Sequence, residues 1–193
     1  MTEEQYQRYK DNPVLNISRL GYCFPPNEDR IFKICTTDTT YINTVRLENS
    51  KCDWGPVSVP RDQAYHLTDT QPLEGLQLTR AFIRWLLPEL ADGEVVSSRM
   101  CWDMECHDYN WLIGPHPDSP DSLFLATGGS GHSFKNIVHI GKYVVRTVEG
   151  TLDAKYRELW RWRPDRIGKD LKSSERFLRP KHELAGQTGW NHE

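Results

Sequence analysis

The stretch from Leu123 to Gly150, LFLATGGSGHSFKNIVHIGKYVVRTVEG, constrains the fold of this chain more than any other. A short apolar run, Leu123 to Thr127, has the character of a buried strand and enters a glycine-rich turn, Gly128, Gly129, Ser130, Gly131 and His132. Beyond the turn, Ile137, Ile140, Gly141, Val144, Val145 and Val148 recur at three- and four-residue spacing, which predicts a helix with one apolar face. Strand, turn and helix start together make an anion or cofactor site. Glycines let backbone approach a ligand closely, and the first helical N–H groups carry the positive end of the dipole. The turn is not a dinucleotide fingerprint. G-x-G-x-x-G needs its third glycine where Phe134 stands, and the acidic residue about twenty positions on, Glu149, ends the helix rather than a second strand. A tight turn before a packed helix is the plainer alternative, and spacing alone leaves both open.

The rest of the composition narrows the classes. At 193 residues the chain suits one domain or a large piece of a bigger protein. A net charge of -3 gives no reason to expect nucleic acid or an anionic membrane as partner. No apolar run approaches the ~20 residues of a membrane span. The polar start MTEEQYQRYK does not read as a signal peptide, and Trp190 to Glu193 contain no familiar targeting tripeptide. A cytoplasmic location is the expectation. Five cysteines, an odd number, argue against a disulfide framework. Cys101, Cys106, His107 and His116 lie near one another in sequence, but without a C-x-x-C pair or a common zinc spacing no metal is expected. On composition alone Cys101 reads as a small buried residue of a strand.

In chain order, Thr2 to Gln5 is a capping box that opens a helix bound to stop near Pro13. VLNI, LGYCF and RIFKICTT read as strands, with Pro25 to Asp29 as a turn. In the third run Ile31, Lys33 and Cys35 share a face opposite Phe32 and Ile34. Lys33 is either an edge lysine that snorkels to water or one held where its charge is used. Another strand is expected near Val45 to Leu47. From Pro72 to Asp92 the pattern is helical, with Leu76, Ile83, Leu86, Leu87 and Leu90 on one face and Gly93 as the stop. Val95 to Met104 and Asn110 to Ile113 read as two strands that pair. A last helix, Ala154 to Trp162, ends at Pro164, before a basic stretch from Lys169 to Lys181. A doubly wound cofactor domain needs at least two βα units and here one is visible, so the chain reads as the second part of something larger.

The segments GYCFPPNEDRIFKIC, MCWDMECHDYNWLIGPHP, LFLATGGSGHSFKNIVHIGKYVVRTVEGTL, LWRWRP and the closing GW resemble the C-terminal portion of fungal FAD-dependent fructosyl amine oxidases (amadoriases). More distantly they resemble monomeric sarcosine oxidase and the D-amino acid oxidase-like superfamily. The resemblance implies an α/β (α+β) fold, the C-terminal part of a two-domain FAD-dependent oxidoreductase. Residues 1–122 would form the antiparallel substrate-domain sheet and helix. Residues 123–150 would supply the last strand, turn and helix of the FAD domain, and 151–193 a helix and basic tail. Such enzymes oxidise the C–N bond of a secondary amine to an imine and reduce dioxygen to hydrogen peroxide. Small-molecule amine or amino-acid substrate and dioxygen are therefore the implied partners, with FAD as cofactor.

Carried over by position, the resemblance makes Cys101 the thioether attachment of the flavin and Lys33 the lysine that promotes reaction with oxygen. Gly129, Ser130, Gly131 and His132 would present backbone donors to the flavin ring. Lys135 would pair with the substrate carboxylate, and Arg176 would be its second basic partner. Two departures bear on substrate choice: Thr37 stands where fungal members tend to carry an acid, and Asp103 replaces the second cysteine of a CWC pattern. No G-x-G-x-x-G follows a strand within the 193 residues, so the N-terminal Rossmann unit is expected to be missing. The helix after the turn would normally pack on strands of that missing part. The alternative function is a non-catalytic remnant, or a partner-dependent half that does not hold FAD alone.

Overall fold

The computed structural model describes residues 1–17, 20–37, 39–47, 55–166 and 181–191. In chain order its elements are α1 (Glu3–Tyr9), β1 (Leu15–Ile17), β2 (Gly21–Cys23), β3 (Ile34–Thr36), β4 (Thr40–Ile42), β5 (Thr44–Arg46) and β6 (Pro56–Ser58). There follow α2 (Leu73–Leu86), β7 (Leu112–Pro115), β8 (Phe124–Thr127), α3 (Ile137–Val148), α4 (Ala154–Trp160) and β9 (Lys181–Glu183). They fall into two compact units, Met1–Cys101 with Leu178–Glu193, and Trp102–Phe177. The first compact unit runs to Cys101; the functional segments expected from the sequence, cut at 122 and 150, are a separate division.

In the first unit the N-terminal capping box is present. The Thr2 hydroxyl accepts from the Gln5 amide at 3.2 Å, and the Gln5 side chain accepts from the Thr2 amide at 2.9 Å. Strands β1, β2 and β3 form an antiparallel sheet in that order, with Tyr22 between Asn16 and Cys35. Helix α2 packs beside β3, but not on its leucine face. Its buried stripe is Gly75, Thr79 and Phe82, and Leu76, Ile83 and Leu86 are only half-buried. Close approach is the reason: the Thr79 and Thr36 hydroxyls meet at 3.1 Å, and a Cβ on Gly75 would lie 3.1 Å from the Tyr41 hydroxyl. Small residues take the line of contact and the leucines flank it. Helix α2 stops at Leu86 because Pro88 cannot continue it, and a 3-10 turn, Pro88–Leu90, completes the segment.

At Gly21 there is no room between the sheet and α2 for a side chain. A Cβ there would run into the Cys35 carbonyl oxygen, with the Phe82 ring at 3.0 Å and the Thr36 Cα at 3.1 Å. Since the nearest obstacle is backbone, Gly21→Ala is expected to cost about 1–3 kcal/mol by overpacking. Thermal unfolding reads it, and an unchanged midpoint would refute the close packing.

The end of the chain is bound into the same unit. β9 pairs in parallel with β4, Thr40 opposite Lys181, and Leu184 just beyond is 0% exposed. The Thr70 amide donates to the Trp190 carbonyl at 2.8 Å. Arg61 forks onto Asp69 at 2.6 and 3.1 Å and lies 5.1 Å over the Trp190 ring. β5 pairs with β6, Val45 opposite Val57, as a separate antiparallel ribbon.

One expected pairing is corrected. Residues 94–106 carry no regular structure, so Val95 to Met104 is not a strand. β7 pairs instead with β8, Ile113 opposite Ala126. A strand exists where a neighbour completes its ladder, and β8 is the neighbour that does so. On β7 and β8 the second unit builds its core from Ile113, Leu152 and Trp160, with Ile140, Tyr143 and Val144 of α3 and Tyr156 and Leu159 of α4 against it. Helix α4 begins where the Asp153 side chain accepts from the Lys155 amide at 2.9 Å and ends at Trp160, two residues short of the expected Trp162.

Cys23, Cys35, Cys101 and Cys106 are free thiols, and Cys52 lies outside the described residues. Among the described residues no helix is long and apolar enough to cross a membrane, and no three His, Cys, Asp or Glu side chains gather as metal ligands.

Candidate functional site

Strand β8 delivers the chain into the glycine turn, and a 3-10 turn, Phe134–Asn136, leads on into α3. Gly128 has φ 75°, and a Cβ there would strike the Cys106 sulfur and come within 3.1 Å of the Leu112 amide. Only glycine fits both the angle and the space. Ser130, with φ 49°, is 0% exposed. Its amide donates to the Met104 carbonyl at 2.9 Å, and its hydroxyl donates to the Gly128 carbonyl at 3.1 Å and accepts from the Cys106 amide at 3.3 Å. The His132 amide is engaged by the Gly129 carbonyl at 3.1 Å. Among the described residues the amides of Gly129 and Gly131 make no hydrogen bond. Of the expected donor set, Ser130 and His132 thus have engaged amides, and Gly129 and Gly131 do not.

The His132 side chain faces the protein: Nε2 lies 2.8 Å from the Tyr109 carbonyl, and as that acceptor requires a donor, the ring carries its proton on Nε2. Trp111 donates its indole N–H to the Ser133 hydroxyl, which donates in turn to the Gly129 carbonyl at 2.8 Å. The 104–111 segment thus forms the back wall of the turn.

That wall rests on Arg163, whose side chain is 2% exposed. Its five N–H groups all find acceptors. Nε and Nη2 hold the two Asp108 oxygens at 2.7 and 2.6 Å, Nη2 also reaches the Asn110 carbonyl at 2.9 Å, and Nη1 reaches the Trp111 and Arg161 carbonyls at 3.0 Å each. Burial pushes the Asp108 carboxyl up, but hydrogen bonds from Arg163 and the Asn110 amide, with the Arg163 charge, bring it down to about 2. Burial also pushes the neighbouring Cys106 thiol up, against the opposing Arg163 charge.

The other expected residues are distributed as follows. Lys135 stands exposed on the 3-10 turn beside the glycine turn. Lys33 and Cys101 belong to the first unit. Lys33 is exposed just before β3, its Nζ 5.3 Å from the Phe24 ring centroid. Cys101 is exposed at the boundary of that unit and outside any strand, not the buried strand residue its composition suggests. Arg176 lies outside the described residues. Asp108, Tyr109, Trp111, Ser133 and Arg163 had no assigned part, although HDYNW and LWRWRP hold four of them; ion pairing across 55 residues leaves no local signal.

One unit holds a strand, a close-approach turn with two amides unengaged among the described residues, and a helix; the other holds short strands, mostly antiparallel. Over its length the chain is homologous to a portion of the fungal fructosyl amine oxidase (amadoriase) family, whose members oxidise secondary amines. It is 32% identical over 176 residues to L-saccharopine oxidase of Schizosaccharomyces pombe, matching 89% of this chain and 39% of that protein. It superposes on a thermally stable mutant of fructosyl peptide oxidase with TM-score 0.87 and 38% identity, covering 100% of this chain and 44% of that one. For fructosyl peptide oxidase from E. terrenum the TM-score is 0.86 at 35% identity, over 100% of this chain and 43% of that one. The chain therefore spans less than half the length of these relatives. No family model matches it.

Proposed function

We propose that this chain supplies the ring-facing and substrate-facing part of an FAD-dependent oxidase of secondary amines, acting in the cytoplasm on a fructosyl amino acid or a sarcosine-like amine. The observation that carries this reading is the likeness to fructosyl peptide oxidase along 100% of the chain. Bound FAD would supply the two-electron oxidant: the carbon beside the amine nitrogen would give up a hydride and the nitrogen a proton, leaving an imine that water hydrolyses, with dioxygen taking the electrons as hydrogen peroxide. The Gly129 and Gly131 amides suit the polar edge of a flavin, where fixed donors stabilise negative charge. The exposed Cys101 thiol is available for a thioether to the ring. The ammonium of Lys33 would hold positive charge where dioxygen is reduced. Lys135, with Arg176, would bind the substrate carboxylate.

Each of these groups is of a kind that suits the ring end of FAD, and none is of a kind that would hold its adenine and pyrophosphate; a further polypeptide would supply that part. Helix α3 offers a surface for that polypeptide. Its Ile140, Tyr143, Val144 and Thr147 face its own unit, yet the adjoining apolar face stays bare: Ile137 is 63% exposed, Val138 80%, Val145 54% and Val148 54%. An apolar arc wider than the chain itself covers suits a helix packed on both sides.

The test is co-expression of this chain with the part of the E. terrenum enzyme that it does not match. A yellow complex is expected, with flavin fluorescence that stays on this chain after denaturation and is released by Cys101→Ser. Flavin retained by the Cys101→Ser variant would remove the covalent assignment. A colourless complex would favour the alternative, a remnant without catalysis. Peroxide release with a fructosyl amino acid, saccharopine or sarcosine then sorts the substrates.

A further inference from the structure

We infer that Arg163 is a positioning residue for the Gly128–His132 turn, acting at a distance through Asp108 and the backbone of residues 108–111. Arg163 touches no residue of the turn by any hydrogen bond of its own. What it holds is the wall against which the turn is set. Three of its acceptors, Asp108, the Asn110 carbonyl and the Trp111 carbonyl, bracket Tyr109. Tyr109 has φ 56°, a conformation that an aromatic residue keeps only when its surroundings over-determine it. Its carbonyl is the acceptor for His132 Nε2, and the next residue but one, Trp111, donates to Ser133. Ser130, across from this segment, is a second non-glycine residue at positive φ, and its hydroxyl takes the Cys106 amide. Two strained residues in facing segments, one braced by a fully satisfied buried guanidinium, describe a turn held in one geometry rather than a turn that merely closes a loop. The orientation of the Gly129 and Gly131 amides follows from it.

Lysine in place of Arg163 keeps the charge but has three donors on a single nitrogen, so it cannot hold Asp108 in a fork while serving the Asn110 and Trp111 carbonyls. The inference rests on the reading of the turn as ligand-facing, but its test needs no flavin. With glycine and histidine labelled with nitrogen-15, Arg163→Lys is expected to move the Gly129 and Gly131 amide resonances and the His132 ring-nitrogen signals. Amide exchange at Tyr109 to Leu112 should become about tenfold faster or more. Leu152→Ala, which opens the core of the same unit but removes no hydrogen bond of the wall, is expected to lower stability and leave those resonances in place. Should Arg163→Lys fail to fold, Asp108→Asn, equal in shape with one acceptor oxygen kept, is expected to shift the same signals in the same direction. Signals unmoved by these variants, or moved equally by Leu152→Ala, would overturn the positioning role. If the signals move but the flavin potential of the co-expressed complex does not, the positioning role stands and the ring-facing assignment of the turn falls.

Discussion

Replacing Trp160 by alanine is expected to unfold the second unit. Trp160 is 5% exposed and is the one large ring of that core which every neighbouring aromatic meets. Tyr156 stacks on it with centroids 4.9 Å apart, and Trp111 and Tyr143 meet it edge-on at 5.2 and 5.6 Å. Among the described residues, Ile113 and Leu152 are the comparably buried apolar side chains of its cluster. Removing a buried tryptophan costs about 3–5 kcal/mol, through the lost transfer energy and the cavity left behind. Whole domains hold roughly 5–15 kcal/mol, so most of the margin of a unit this small would go. Near-ultraviolet circular dichroism should lose its aromatic signal, and the denaturant midpoint for this unit should collapse. A variant within about 1 kcal/mol of the parent would show that the aromatic cluster is not its core.

The second large effect is expected from Asp108→Ala. The substitution leaves the Arg163 guanidinium buried without its counter-charge, and breaking one partner of such a pair costs about 3–5 kcal/mol. Asp108→Ala together with Arg163→Met should recover much of the loss, because the penalty lies in the orphaned charge more than in the bond. The pair also has a pH signature. The Asp108 carboxyl sits at about 2 in the folded chain against an ordinary 3.8, so the folded state binds the proton less readily than the unfolded state. Its contribution, on the order of 2 kcal/mol, is complete above about pH 4 and fades as pH falls through about 2. The groups facing it are Arg163, Arg166 with a nitrogen at 3.7 Å, and the Cys106 thiol, and the two arginines remain charged throughout that window. Acid unfolding of the parent should show this loss below pH 4, and Asp108→Ala should not. An identical acid limb in both proteins would remove the assignment.

Much of the local structure was legible because its causes are local. A hydroxyl at Thr2 and an amide side chain at Gln5 satisfy each other within one turn, so the capping box appears as read. Pro88 ends the helical segment before it wherever the chain goes. The strand, glycine turn and helix at residues 123–148 follow from an apolar run, a cluster of glycines and a helical repeat. The errors came where a neighbour decides. The 95–104 run reads as a strand, but among the described residues no strand pairs with it, and α2 buries Gly75 and Thr79 because Tyr41 of β4 and Thr36 of β3 approach them closely. The candidate site shows the same division. The turn and Lys135 were visible as residue types, whereas the engagement of the Ser130 and His132 amides depends on Met104 and Gly129.

What the sequence determined by itself was the chemistry on offer: a glycine-rich turn, a helix with a repeating apolar face, and the segments that tie the chain to amine oxidases. Tertiary structure alone decided which of those groups stay free for a ligand. A hydrogen bond needs both partners, and the partners here are brought together from far apart in the chain: Arg163 under Asp108, Tyr109 over His132, Met104 on Ser130. Residue type says what a group can do, and long-range packing says whether anything else has already claimed it.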